Sequence, residues 1–120
     1  MAAVLIVDDS PVTRTMIGEF LQMSGHTVAG EAENMAQALA VYGAKKPDLV
    51  TLDLSMGEED GFTVLKALKA KHPEAKVLIV SANTQMEIYD QLVAAGAAGF
   101  LTKPFSIGDL TAAATKALAR

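Results

Sequence analysis

Five short runs of aliphatic residues recur along the chain: AVLIV at 3–7, TVAGEA at 27–32, DLVTLDL at 48–54, KVLIVSA at 76–82 and GFLT at 99–102. The first, third and fourth are nearly continuous in hydrophobicity, as strands covered by helices on both faces are, and this argues for a parallel sheet. Segments of helical length and period follow each run. Val12, Met16, Phe20 and Met23 mark a stripe in the first, and Ala36, Leu39, Ala40 and Gly43 one in the second. Phe62, Leu65, Leu68 and Lys69 continue the spacing in the third, Ile88, Leu92 and Ala95 in the fourth, and Ile107, Leu110, Ala114 and Leu118 in the fifth. Five strands alternating with five helices predict a (βα)5 domain of the α/β class.

Local punctuation agrees with these boundaries. Ser10-Pro11 offers a helix N-cap followed by proline in the first turn, and Ser24-Gly25 and Ala95-Gly96 supply glycine stops. No linker, repeat or low-complexity tract interrupts the pattern, so residues 1–120 read as one domain. A chain of this length removes roughly two thirds of its unfolded surface from water and folds without staples.

Composition narrows the chemistry. The absence of cysteine excludes disulfides, thiolate metal sites and thiol nucleophiles. A formal net charge of -4 argues against nucleic acid or an anionic membrane as the main partner. The apolar stretch Met1 to Val7 has no positive leader and is cut short by acids, so it reads as neither signal peptide nor membrane span. The expected protein is soluble and cytoplasmic.

In open parallel α/β sheets, ligands and chemistry gather at the carboxyl ends of the strands. Here the first strand delivers Asp8 and Asp9, the third Asp53, the fourth Ser81, and the fifth Lys103 followed by Pro104. Two adjacent aspartates closing a strand repel each other, and burial strengthens the repulsion. A hard divalent cation with oxygen ligands relieves it, and Mg²⁺ suits such a site. Because Mg²⁺ keeps waters and takes one or two carboxylates plus a phosphoryl group, the cluster also hints at phosphate chemistry, with Lys103 as the second positive charge.

VLIVDDS, PDLVTLDLSM…DGF, VLIVSA and GAAGFLTKPF, in this order and spacing, resemble the receiver domain of two-component response regulators over the whole chain. The resemblance implies a flavodoxin-like, doubly wound sheet of strand order 2-1-3-4-5. It also implies a phosphorylation-activated switch in which Asp53 takes a phosphoryl group from the phosphohistidine of a sensor kinase or phosphotransfer protein. Asp9 directly, Asp8 largely through water, Asp53 and the Ser55 carbonyl would hold Mg²⁺. Ser81 would hydrogen-bond a phosphoryl oxygen, Phe100 would be the switching aromatic, and Ser55 and Asn83 would tune the lifetime of the aspartyl phosphate. Lys103-Pro104 would be the family's cis peptide, aiming the ammonium into the site. Such a protein is not an enzyme turning over a separate substrate. Its downstream protein would dock on the fourth helix, fifth strand and fifth helix. Ala97-Ala98-Gly99, where dimerising transcription-factor receivers carry acids, points to a stand-alone monomer, chemotaxis-like or part of a phosphorelay.

Departures and rival classes complete the picture. Gly57 stands where the family usually has proline, implying a looser loop beside Asp53. Met35 replaces a common glycine and is expected only to lengthen the second helix. An aspartate-dependent phosphatase needs a second acid two residues after its nucleophile, where this chain has Ser55. A flavodoxin-like cofactor binder needs a hydroxyl- and glycine-rich phosphate loop, and DDSP repels phosphate unless metal is bound. A phosphorylation-independent interaction module typically lacks one of the five key residues, all of which are present. His26 and His72 read as surface residues, the methionines as gap fillers, and Phe100, on the residues alone, as a core aromatic.

Overall fold

The computed structural model describes residues 2–56, 59–82 and 88–120. Five parallel strands, β1 (Ala3–Val7), β2 (Thr27–Ala32), β3 (Leu49–Asp53), β4 (Val77–Ala82) and β5 (Gly99–Lys103), form one sheet in the order β2-β1-β3-β4-β5. This is the expected 2-1-3-4-5 order. The connecting helices are α1 (Pro11–Met23), α2 (Met35–Lys45), α3 (Gly61–Lys71), α4 (Tyr89–Ala94) and α5 (Ile107–Leu118).

Alternation along the strands divides the core into two layers. Val4, Ile6, Leu49, Leu78 and Val80 pack with Ile17 and Leu21 of α1 and with Leu110, Ala114 and Ala117 of α5. Leu5, Val7, Val50, Leu52, Val77 and Ile79 face the other way, onto Ala38 and Tyr42 of α2, Val64, Leu65 and Leu68 of α3, and Leu92 of α4. Each such large aliphatic side chain contributes about 1.5–3 kcal/mol by leaving water. Among the described residues, no helix is long and apolar enough to cross a membrane.

The structure corrects the phase of two helices. Val12 and Met23 of α1 are 79% and 73% exposed, and Ile17, Gly18 and Leu21 are buried instead. In α2 the residues Ala36, Ala40 and Gly43 are exposed, while Ala38 and Tyr42 are buried. The expected faces of α3, α4 and α5 agree with the burial observed at Leu65, Leu68, Leu92, Leu110 and Ala114.

The caps explain the helix starts. The Ser10 hydroxyl accepts the Thr13 N–H at 3.3 Å with Pro11 at the first helical position. Asn34 accepts the Gln37 N–H at 2.9 Å, so α2 begins at Met35 itself. Ser106 and Asp109 form a reciprocal capping box on α5. Gly25 and Gly96, with φ of 90° and 101°, make the left-handed turns that follow α1 and α4.

Two features were not in the hydrophobic pattern. Ser55–Met56 pairs antiparallel with Glu59–Asp60 in a minimal hairpin between β3 and α3. β2 also slips register against β1: Val4 pairs with Val28, but Leu5 pairs with Gly30.

Candidate functional site

The carboxyl ends of the three central strands meet in an acidic pocket. Parallel pairing in register puts Val7 beside Leu52 and Asp53 beside Val80, so the residues just past β1, at the end of β3 and near the end of β4 lie on one edge. Asp8 and Asp53 are buried there, at 1% and 5% exposure, while Asp9 is exposed. One carboxylate oxygen from each of Asp8, Asp9 and Asp53 lies within 4.8 Å of the others.

The neighbours hold these acids unequally. Asp53 Oδ1 accepts the Ser55 N–H at 3.1 Å, and Oδ2 lies 3.4 Å from Lys103 Nζ. Lys103 reaches in from the end of β5, where the Lys103-Pro104 peptide is cis. Asp8 Oδ1 accepts the Ser10 N–H at 2.9 Å, but Asp8 Oδ2 has no hydrogen-bond partner among the described residues. Burial pushes the Asp8 carboxyl up to about 6; the Asp53 and Asp9 charges add to this, while the Ser10 N–H and Lys103 pull the other way.

A buried carboxylate oxygen without a donor costs about 1–3 kcal/mol. Such a cost persists in a folded protein where something outside the chain is to be met. Three carboxylates converging on one point, one carrying that orphaned oxygen, fit a hard, oxygen-seeking divalent cation.

Ser81 is buried on β4, and its register partner on β5 is Thr102. Phe100, which pairs with Ile79, is half-buried, and its ring lies 4.2 Å from the ring of Tyr89. Ser55 opens the hairpin and is exposed. Asn83 and Gly57 lie outside the described residues. The structure therefore brings together Asp8, Asp9, Asp53 and Lys103, with the Ser55 main chain bonded to Asp53, and sets Phe100 against α4.

Several residues that shape the site were not anticipated. Gly61 opens α3 directly beneath the site: a Cβ there would sit 2.5 Å from the Asp53 carbonyl oxygen and 2.5 Å from Leu54 Cα. The Gly61 N–H donates to the Leu54 carbonyl at 3.0 Å, which shows how closely the two main chains approach. Asp60, the α3 cap, accepts the Phe62 N–H at 3.0 Å. Arg14, on the first turn of α1, joins the Asp8 carbonyl to Glu31 of β2. The D-G pair of DGF was a visible signal for the first of these. For Arg14 there was none, because its partners are 6 and 17 residues away.

Comparison with known proteins gives this geometry a family. Residues 4–115 match the family model described as response regulator receiver domain. The chain is 41% identical over 115 residues to the chemotaxis protein CheY of Bacillus subtilis, covering 96% of each. It is 39% identical over 102 residues to CheY of Thermotoga maritima, covering 85% of each. The receiver domain of NtrX from Brucella abortus superposes with a TM-score of 0.90 at 31% identity, over 97% of this chain and 98% of that one. An acid pocket at the carboxyl edge of a 2-1-3-4-5 sheet, in a sequence matched over nearly its whole length, places the chain in the receiver domain family of two-component response regulators.

Proposed function

We propose that residues 1–120 act as one phosphorylation-activated signalling domain in which Asp53 accepts a phosphoryl group from the phosphohistidine of a sensor histidine kinase or phosphotransfer protein. The observation that carries this reading is the setting of Asp53. It is a buried acid at the end of the central strand, with Lys103 Nζ 3.4 Å from one oxygen and the Ser55 N–H on the other. Asp8 and Asp9 stand within 4.8 Å.

In the proposed reaction an Asp53 carboxylate oxygen attacks phosphorus, the P–O bond forms as the P–N bond breaks, and the imidazole leaves with its nitrogen lone pair. Phosphoryl transfer asks a protein mainly for alignment and charge compensation. Lys103 is suited to offset negative charge on the phosphoryl oxygens, being a compact ammonium already directed at Asp53. Mg²⁺ on Asp9, Asp53 and the Ser55 carbonyl, with Asp8 reached through water, would supply the remaining positive charge. Ser81 would then bond a phosphoryl oxygen, and Phe100 would leave Tyr89 for an inward rotamer. Ser55 and Asn83 would govern the approach of hydrolytic water. The face of α4, β5 and α5 would present the outcome to a downstream protein. The domain would work in the cytoplasm as a monomer and would turn over no separate substrate.

Incubation with acetyl phosphate and Mg²⁺ tests the reading by intact mass. One added phosphoryl group is expected in the wild type, and none with EDTA or in Asp53→Asn. Lys103→Arg is expected to accept phosphate slowly. A phosphoryl adduct on Asp53→Asn, mapped to another residue, would overturn the assignment.

A further inference from the structure

We propose that Arg14 is a positioning residue that fixes the peptide between Asp8 and Asp9, and thereby sets how tightly the acid cluster binds a divalent cation. This rests on the reading of the cluster as an Mg²⁺ site.

β1 ends at Val7, so the Asp8 main chain lies past the strand. Its N–H still reaches the Ala32 carbonyl on β2 at 3.0 Å. Its carbonyl oxygen accepts from Arg14 Nη1, whose Nε donates to Glu31 Oε1 at 2.8 Å. One guanidinium fork thus ties the Asp8 carbonyl to the β2 residue just before Ala32. The Arg14 side chain is 14% exposed and the Glu31 side chain 50%, so the arginine end of the pair is the enclosed one.

The Asp8 carbonyl belongs to the planar peptide that carries the Asp9 nitrogen. Holding its direction holds the Asp9 Cα, and with it the origin of an exposed side chain that must reach the cluster. Asp8 is fixed independently by burial and by the Ser10 N–H. Asp9 is the acid whose placement depends on the arginine. An exposed ion pair alone is worth about 0–1 kcal/mol. Groups that orient ligands, by contrast, typically change metal affinity by about 10–100-fold when removed.

A charge effect would have the opposite sign, which makes the proposal testable. Removing a cation beside the cluster would tighten Mg²⁺ binding through weaker repulsion, whereas loss of positioning loosens it. Calorimetric Mg²⁺ titration of the EDTA-treated, dialysed full chain should show about tenfold weaker binding in Arg14→Gln. Arg14→Lys, which keeps one donor, should lie between, and the thermal midpoint of the metal-free proteins should change little. Should Arg14→Gln fail to fold, Arg14→Lys carries the test alone, because it keeps the charge and loses the planar fork, whereas Glu31→Gln removes a negative charge and would weaken binding on electrostatic grounds alone. Arg14→Gln binding as tightly as wild type or tighter, or wild-type affinity in Arg14→Lys, overturns the proposal. Wild type without measurable Mg²⁺ binding overturns the cluster reading and this proposal with it. Normal wild-type binding that is lost in Asp9→Asn upholds the cluster reading, and the proposal then stands or falls on the Arg14 variants alone.

Discussion

The two edges of the sheet treat polar groups in opposite ways. At the amino edge polar groups find partners: the Ala2 N–H donates to His26 Nδ1 at 3.0 Å, and the Ala3 N–H to Asp48 Oδ2 at 2.9 Å. There, too, Lys76 Nζ donates to the Leu118 carbonyl at 2.6 Å. At the carboxyl edge, among the described residues, three acids crowd together, an ammonium stands 3.4 Å from Asp53, and a buried oxygen of Asp8 is left without a donor. β3 connects the two, with Asp48 just before it and Asp53 at its end. Of these two aspartates at opposite ends of one strand, the first satisfies a main-chain N–H of β1, and the second stands among like charges beside Lys103. Incomplete satisfaction, at Asp8, more than the presence of charge, separates the edge that carries the candidate site from the other.

This contrast can be broken in graded ways. The largest difference expected is between Asp53→Asn and Asp48→Asn treated with acetyl phosphate: complete loss of the phosphoryl adduct in the first and full uptake in the second, by intact mass. Next is Gly61→Ala, which forces a methyl group against the Asp53 carbonyl and Leu54. It should cost about 3 kcal/mol in chemical denaturation and slow phosphorylation, since β3 and α3 must separate to admit it. Asp8→Asn should act in reverse, stabilising the metal-free protein by about 1–2 kcal/mol while weakening Mg²⁺ binding.

The same carboxyl gives a pH signature. Its folded value of about 6 lies above the ordinary 3.8, so the native state binds the extra proton. The contribution of Asp8 to metal-free stability is therefore full below about pH 4 and is lost as pH rises to about 6. Mg²⁺ affinity should climb over the same interval, because the cation competes with that proton. Denaturation of wild type and Asp8→Asn across this range should show the slope in the first and its absence in the second. The smallest effect expected is Asp48→Ala, at about 0.5–1 kcal/mol of stability with phosphorylation unchanged.

How far the sequence foretold this depends on what each feature rests on. The strands and the acids closing them were legible because a buried parallel strand is a local, continuous signal and its last residues have few places to go. The phases of α1 and α2 were not. α1 carries Val12, Met16, Ile17, Phe20, Leu21 and Met23, two overlapping apolar stripes, and periodicity alone does not say which one the sheet accepts. α2 is apolar almost all round, so Ala38 and Tyr42 were hidden among Ala36, Ala40 and Gly43. Nothing along the chain marks Arg14, because only the sheet brings Glu31 beside it. The hairpin at Ser55–Met56 is too short to leave a pattern. What escaped depended on tertiary pairing, and what was caught depended on neighbours in the chain.

The register slip between Val4 and Leu5 also bears on how the molecule behaves in company. β2 is an edge strand, and an edge offers a row of main-chain donors and acceptors to any passing strand. A slip of this kind disrupts the ladder and increases local twist, so that a second copy finds no straight template. Gly30, opposite Leu5, lets Val41 of α2 press to within 2.7 Å of where its Cβ would stand, pinning the irregular stretch to the body of the protein. The irregularity in β2 thus works against sheet extension and the aggregation that follows from it.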